Sequence, residues 1–235
     1  MTKAQQIYEK YWKEQHAAAD SDCHPRFVGE IIDTVSKLLK EGSKVLDVGC
    51  GDGSIMKFAE PKFDEIHGCD ISLTALSQAA GMGLNSVCAD LNANTPLPYR
   101  SEIFDAISCL EVLEHIMDPL HLLKDIHRVL RPHGQLILST PNIRYFRNIG
   151  KLIFKGEFPH TTNDSFIWGG GHIHYFTRKD LGSLIKNAGF NRAVFHVTEG
   201  QFVHSCKRKL FSTLTGKFLF GEWLCGSIIA EVFKT

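Results

Sequence analysis

Lys44-Val-Leu-Asp-Val-Gly-Cys-Gly-Asp-Gly53 is the stretch that decides the fold. Its first half is apolar and strand-forming, interrupted only by Asp47, and its second half is a run of small residues with Gly49, Gly51 and Gly53 at alternate positions. A strand that runs straight into a glycine turn and then a helix (Ser54–Ala59) lets a ligand approach backbone N–H groups closely. Dinucleotide folds need G-x-G-x-x-G at this junction, whereas here the spacing is G-x-G-x-G and position 54 is Ser. Asp47 just before the turn would repel a pyrophosphate and attract a cation.

Outward from this motif, short apolar strands alternate with amphipathic stretches. Strands are predicted at Lys44–Val48, Glu65–Cys69, Ser86–Ala89, Phe104–Cys109, Gln135–Ser139, Ala193–Val197 and Ser227–Phe233. Between them Phe27–Lys40 carries Val28, Ile31, Ile32, Val35, Leu38 and Leu39 at helical spacing and stops before Gly42. Pro119–Leu130 repeats the pattern until Arg131-Pro132-His133-Gly134 breaks it, and Asp180–Ala188 is the last clear helix. Such alternation predicts an α/β fold, a doubly wound parallel sheet covered by helices on both faces. With 235 residues the chain reads as one domain, 1–235, with two elaborations. Residues 1–26 are polar and aromatic (Tyr8, Tyr11, Trp12) and do not fit the simple alternation. Residues 141–176 are too long for an ordinary connection and read as a substrate lid.

Two further acids stand at strand ends. Asp70, in Gly68-Cys-Asp-Ile-Ser72, lies about 20 residues past the glycine turn, where a carboxylate accepts ribose hydroxyls. Asp90, in Val87-Cys-Ala-Asp-Leu91, stands where a carboxylate can accept an adenine amine. Three acids at successive strand ends, with the sulfonium and ammonium charges that Asp47 would favour, point to S-adenosylmethionine. The sequence resembles the class I S-adenosylmethionine-dependent methyltransferases, and is similar to the branch containing ubiquinone-biosynthesis O-methyltransferases. The segments that carry the resemblance, over about residues 25–200, are Val45–Gly53, Asp70-Ile71-Ser72, Ala89-Asp90, Phe104–Ile116, Val129–Gly134 and Ser139-Thr-Pro-Asn142. The resemblance implies a seven-stranded Rossmann-like sheet whose last strand, Ser227–Phe233, enters antiparallel. It implies Asp47, Gly49 and Gly51 at the methionine part of the cofactor, Asp70 and Ile71 at ribose and adenine, Asp90 and Leu91 at adenine, and Leu110 at the methionine moiety. It also implies that residues 1–26 form a lid in which Tyr11, Tyr8 or Trp12 covers the cofactor, with core or staple packing of these aromatics an equal alternative.

Composition narrows the partners. Lys plus Arg balances Asp plus Glu at 26 each, so no global field announces nucleic acid or an anionic membrane. Leu210–Phe233 is interrupted by Lys217 and Glu222, and no membrane span is expected. Met1-Thr-Lys-Ala-Gln-Gln lacks the features of a signal peptide. Seven cysteines without a C-x-x-C pair read as small apolar fillers of a reduced, cytoplasmic protein.

Chemistry is expected at Glu111-Val-Leu-Glu-His115, directly after a strand facing the cofactor. Methyl transfer to a hydroxyl needs alignment and help with the proton, from a base or a metal. His115 is the candidate base. Glu111, Glu114 and His115 would share a helical face at i, i+3 and i+4, and Gly171-His-Ile-His174 adds His172 and His174. Similarity to small-RNA 2′-O-methyltransferases implies His172 as a fourth ligand of a divalent ion beside Glu111, Glu114 and His115. Helix capping by the acids is the structural alternative. Arg144, Arg147, Lys151 and Lys155 in the long connection suggest a small acceptor that is anionic or carrier-bound, or simply a solvated face. O-methylation of a small molecule is the leading expectation. N-methylation, a metal-dependent RNA 2′-O-methyltransferase, an oxidoreductase and a catalytically silent cofactor-binding domain are the alternatives. Residues 198–226 match no motif.

Overall fold

In the computed structural model, which describes residues 1–17, 26–93, 95–159, 171–197 and 222–235, seven strands hydrogen-bond into one sheet. They are β1 (Gly42–Val48), β2 (Phe63–Asp70), β3 (Asn85–Cys88), β4 (Phe104–Leu110), β5 (Leu130–Pro141), β6 (Arg192–Val197) and β7 (Ser227–Phe233). Helices α1 (Lys3–Ala17), α2 (Arg26–Leu38), α3 (Leu73–Gly81), α4 (Pro119–Val129), α5 (Phe146–Gly150) and α6 (Arg178–Asn187) complete it, with short 3-10 turns at Ser54–Ala59 and Leu113–His115. Strand order is β3-β2-β1-β4-β5-β7-β6. The first five strands pair in parallel, and β7 lies antiparallel between β5 and β6. This is the doubly wound sheet expected from the alternation of elements, with the antiparallel last strand that the resemblance implies.

Side chains alternate across β1, so the sheet has two cores. Leu46 and Val48 pack with Leu123 and Ile126 of α4 and Leu181 and Ile185 of α6. Val45 faces the other way, onto Ile31, Val35 and Leu39 from the α2 side. Winding outward from β1 to β3 and then back to β4 opens a crevice between β1 and β4 at their carboxyl ends. Ligands of open α/β sheets bind at such a reversal. The opposite end of the sheet is tied shut, where Asp105 accepts the N–H groups of Ser43 and Lys44 at 2.9 and 2.8 Å and holds Arg131 at 2.5 Å. Burial would raise the Asp105 carboxyl, but these donors outweigh it and hold it below its usual range.

Several local expectations are corrected. Ser54–Ala59 is a 3-10 rather than an α-helix, entered through Gly53 at φ +82°. Strand β5 begins at Leu130, directly where α4 ends, and absorbs Arg131-Pro-His-Gly134 with His133 at φ +62° and a register shift against β4. α1 and α3 have no counterpart among the predicted elements. In the long connection α5 passes into a single π-helical segment, Lys151–Lys155. Ile153 and Phe154 there are 66% and 86% exposed, so neither is buried in the core. The tract 198–221 and residues 160–170 lie outside the described residues, including Cys206–Lys209 and Lys217. Among the described cysteines, Cys50, Cys69, Cys109 and Cys225 are buried free thiols, as expected of core fillers, whereas Cys88 at the end of the edge strand β3 is exposed and fills no core. No helix of the described residues is long and apolar enough to cross a membrane.

Candidate active site

A cavity of about 260 Å³ lies outside the carboxyl ends of the central strands, under α1. Gly49 and Gly51 form its floor with φ of +75° and +54°, a conformation that side-chain-bearing residues rarely adopt. A Cβ on Gly51 would stand 2.5 Å from Trp12 Cζ2, so the absent side chain leaves the space that the indole fills. Tyr8, Tyr11 and Trp12 all line the cavity from α1, with the Tyr11 and Trp12 rings edge to face at 5.7 Å. Burial and the nearby Asp70 charge push the Tyr8 phenol up to about 12.

Asp70, Ile71, Asp90 and Leu91 form the second wall. Asp70 knits the loops together, accepting Gly51 N–H on one oxygen (3.1 Å) and Ser72 N–H on the other (2.9 Å). Burial nonetheless raises its carboxyl above the ordinary value. Asn92 bridges this wall to the next, accepting Met117 N–H at 2.7 Å and donating to the His115 carbonyl.

Asp47 and Leu110 are not on the wall. Asp47 is 2% exposed behind the glycine loop, where Ser108, its register partner on β4, donates a 2.6 Å hydrogen bond to Oδ1. Burial carries its carboxyl up to about 7. Leu110 belongs to the core on the α2 side.

The acids after β4 part company. Glu111 sits at φ +55° before the 3-10 turn begins, so it is not on one helical face with Glu114 and His115 as their spacing suggested. It lines the cavity, and its Oε1 accepts the hydroxyls of Ser139 (2.7 Å) and Ser227 (3.2 Å); burial raises it to about 7. Glu114 is 1% exposed; burial and the neighbouring Glu111 hold its carboxyl well above the usual range. Thr140 donates to its Oε2, while Oε1 has no hydrogen-bond partner among the described residues.

Residues 171–174 strap across this turn. Ile173 and His174 N–H groups both donate to the Glu114 carbonyl, and His115 Nδ1 lies 3.2 Å from the Gly171 carbonyl. A carbonyl only accepts, so Nδ1 carries the proton and Nε2 is the basic nitrogen of the neutral ring. His172 packs edge to face on His115 at 4.6 Å between ring centres, and both line the cavity. Burial and His115 lower the His172 imidazole to about 4. One ligand atom from each of Glu114, His115 and His172 lies within 4.8 Å of the others, without Glu111. His174 also stays outside the trio, with a buried Nε2 that no described residue meets.

Comparisons with known proteins point to methyltransferases. The family profile for the methyltransferase domain matches residues 18–193, and the chain belongs to that family, within the class I S-adenosylmethionine-dependent methyltransferases. The chain is 34% identical over 157 residues to a ubiquinone biosynthesis O-methyltransferase of Pseudomonas aeruginosa, a match spanning 63% of this chain and 64% of that protein. With the Pseudomonas fluorescens protein of the same name the identity is 28%, over 80% and 81% of the two chains. Among solved structures, a SAM-dependent methyltransferase from Thermotoga maritima superposes with a TM-score of 0.66 at 19% identity, covering 98% and 99% of the chains.

Sequence reasoning gave no role to Asn92, Ser108, Thr140 or Glu9, although Ser108 and Thr140 lie in segments that carry the resemblance. The role of Ser108 follows only from the β1–β4 register, and Asn92 and Glu9 carried no local signal.

Proposed function

We propose that this protein transfers the methyl group of S-adenosylmethionine to a hydroxyl oxygen of a small molecule. The observation that carries the reading is the His115–His172 pair on the wall of the cavity that Gly49, Gly51 and Asp70 also line. The residues fit the cofactor. The positive-φ glycines keep the floor free of Cβ atoms, and Asp70 and Asp90 offer acceptors for ribose hydroxyls and an adenine amine. Asp47 supplies negative charge from behind the loop rather than by lining it. S-adenosylmethionine, when bound, supplies an electrophilic methyl group. The chain's part is to orient the acceptor, exclude water beneath α1 and take the hydroxyl proton. With Nδ1 bound to Gly171, His115 Nε2 is the group suited to that last task.

No Lys or Arg stands among the described lining residues, while Asp70, Asp90 and Glu111 do. Arg144 is paired with Glu222 at 2.9 Å instead. An acceptor uncharged near the reacting oxygen therefore fits better than an anionic one. O-methylation, which the names of the Pseudomonas relatives record for those proteins, agrees with this reading.

A divalent ion is a second reading, favoured by the buried Glu114 Oε1, which has no hydrogen bond among the described residues and stands beside two imidazoles. Glu114, His115 and His172 would hold it, and it would lower the pKa of an acceptor hydroxyl. The test is turnover of labelled cofactor on a panel of hydroxyl and amine acceptors. We expect hydroxyl compounds to be methylated, and His115→Ala to lower kcat about 10²–10⁴-fold, the usual contribution of a general base, with cofactor affinity unchanged. Chelation that leaves turnover intact excludes the ion; loss restored by Mn²⁺, with Mn²⁺ binding absent in His172→Ala, supports it. Cofactor binding without turnover on any acceptor would instead support a silent domain.

A further inference from the structure

α1 carries two acids, and they lie in different surroundings. Glu14 is solvated, and pairs at 3.8 Å with Lys10 one turn away. Glu9 is 7% exposed and reaches across to α3. Its Oε1 accepts the Leu73 N–H at 2.5 Å, and its Oε2 accepts the Thr74 hydroxyl at 2.5 Å and the Thr74 N–H at 3.3 Å. Ser72, the N-cap of α3, takes the Ala75 N–H. The first three N–H groups of α3 are thus satisfied jointly by its own cap and by a carboxylate from α1. Burial would raise the Glu9 carboxyl, but the Thr74 hydroxyl and the two N–H groups outweigh it, leaving it below its ordinary range.

What this contact joins gives it meaning. On α1, Tyr8 precedes Glu9, and Trp12 follows one helical turn later against Gly51. At the other end, Leu73 follows directly on Asp70-Ile71-Ser72, whose first two residues form the cavity wall, and Asp70 itself holds the Ser72 N–H. A single buried carboxylate therefore fastens the cover of the cavity to its wall. We propose that Glu9 is a positioning residue, a latch that seats α1 over the cofactor and sets how long S-adenosylmethionine stays bound. The latch rests on the reading of this cavity as the cofactor site. Glu9 does not line the cavity, so it acts through Tyr8, Tyr11 and Trp12 rather than by touching the reacting atoms.

The experiment measures S-adenosylmethionine association and dissociation rates, and kcat and the KM for S-adenosylmethionine, for the full-length wild-type protein, Glu9→Gln, Thr74→Val and the double variant. Glutamine keeps the shape but has lost the charge and one acceptor. Dissociation is expected to quicken about tenfold in Glu9→Gln, the scale of one charged hydrogen bond, with association not slowed and the KM for S-adenosylmethionine rising by more than kcat falls. Thr74→Val removes only the hydroxyl and is expected to quicken dissociation about threefold, the scale of a weaker single bond. The double variant should be no faster than Glu9→Gln, since the two residues form one contact. A folded Glu9→Gln protein that melts lower but releases the cofactor at the wild-type rate would overturn the latch and leave Glu9 a helix cap. Should Glu9→Gln fail to fold, wild-type dissociation in Thr74→Val overturns it equally. Wild-type protein that binds no S-adenosylmethionine would instead overturn the cofactor site, and the latch with it.

Discussion

Replacing Asp47 by asparagine should stabilise the fold and weaken cofactor binding in one protein. Asp47 is 2% exposed in the central strand, and burial, reinforced by the Asp70 charge, carries its carboxyl from 3.8 to about 7 despite the Ser108 hydrogen bond. The folded chain then holds a proton that the unfolded chain has already released. Stability from this group is therefore lost as pH rises from about 4 to about 7, and stays lost above it. At roughly 1.4 kcal/mol per pH unit the ceiling is about 4 kcal/mol. Asparagine is isosteric and still accepts from Ser108, but its amide NH₂ needs a partner, so we expect a net gain of about 1–3 kcal/mol at pH 8. That corresponds to roughly 3–9 °C in Tm for a chain of this size. At pH 5 the wild-type carboxyl is mostly protonated, and the advantage should shrink by about 2–3 kcal/mol. Thermal unfolding followed by circular dichroism at both pH values reads this difference. Calorimetry should show S-adenosylmethionine affinity rising from pH 6 to 8 more steeply in the wild type, where Asp47 ionises together with Glu111, than in the variant, which keeps only Glu111 and should bind about tenfold more weakly at pH 8. A variant whose Tm offset is the same at pH 5 and pH 8, or smaller at pH 8, would refute the reasoning.

Two substitutions test the cavity floor and wall. Gly51→Val should abolish detectable cofactor binding while the sheet still folds, because φ is +54° and the new Cβ would meet Trp12 at 2.5 Å; normal affinity in a folded variant would show that the floor is elsewhere. Asp70→Ala should cost about 1.5–3 kcal/mol of S-adenosylmethionine affinity, the range for a charged hydrogen bond. Because Asp70 also holds the Gly51 and Ser72 N–H groups, its Tm should fall as well, and an unchanged affinity would remove it from the site.

Much of the fold was legible because it depends on local pattern. The strand–glycine turn at 44–53, the alternation of strands with amphipathic helices and the acids at strand ends are periodicities and spacings that a chain cannot hide. The two missed helices show the limit. α1 is strongly polar, and its helical state is tied to tertiary contacts, through Glu9 on α3 and Trp12 on Gly51. α3 is short, Leu73–Gly81, and two of its first-turn N–H groups are met by a residue 64 or 65 positions away.

The candidate site divides along the same line. Sequence by itself determined which chemical groups gather at the carboxyl ends of the strands, because strand direction and side-chain alternation fix that. Only the tertiary structure decided which of them reach the cavity. Asp47 and Leu110 stand behind it, since the pleat and the packing of β4 turn Asp47 onto Ser108 and Leu110 into the core. Glu111 and Glu114 have helical spacing, yet a left-handed residue at 111 sends one carboxylate to Ser139 and Ser227 and leaves the other beside His115. His172 comes to His115 because main-chain bonds from 171–174 strap a distant segment onto the turn. Spacing along a chain constrains neighbours within a turn or a strand. Contacts between segments are set by packing and hydrogen-bond satisfaction across the whole fold, which no local pattern encodes.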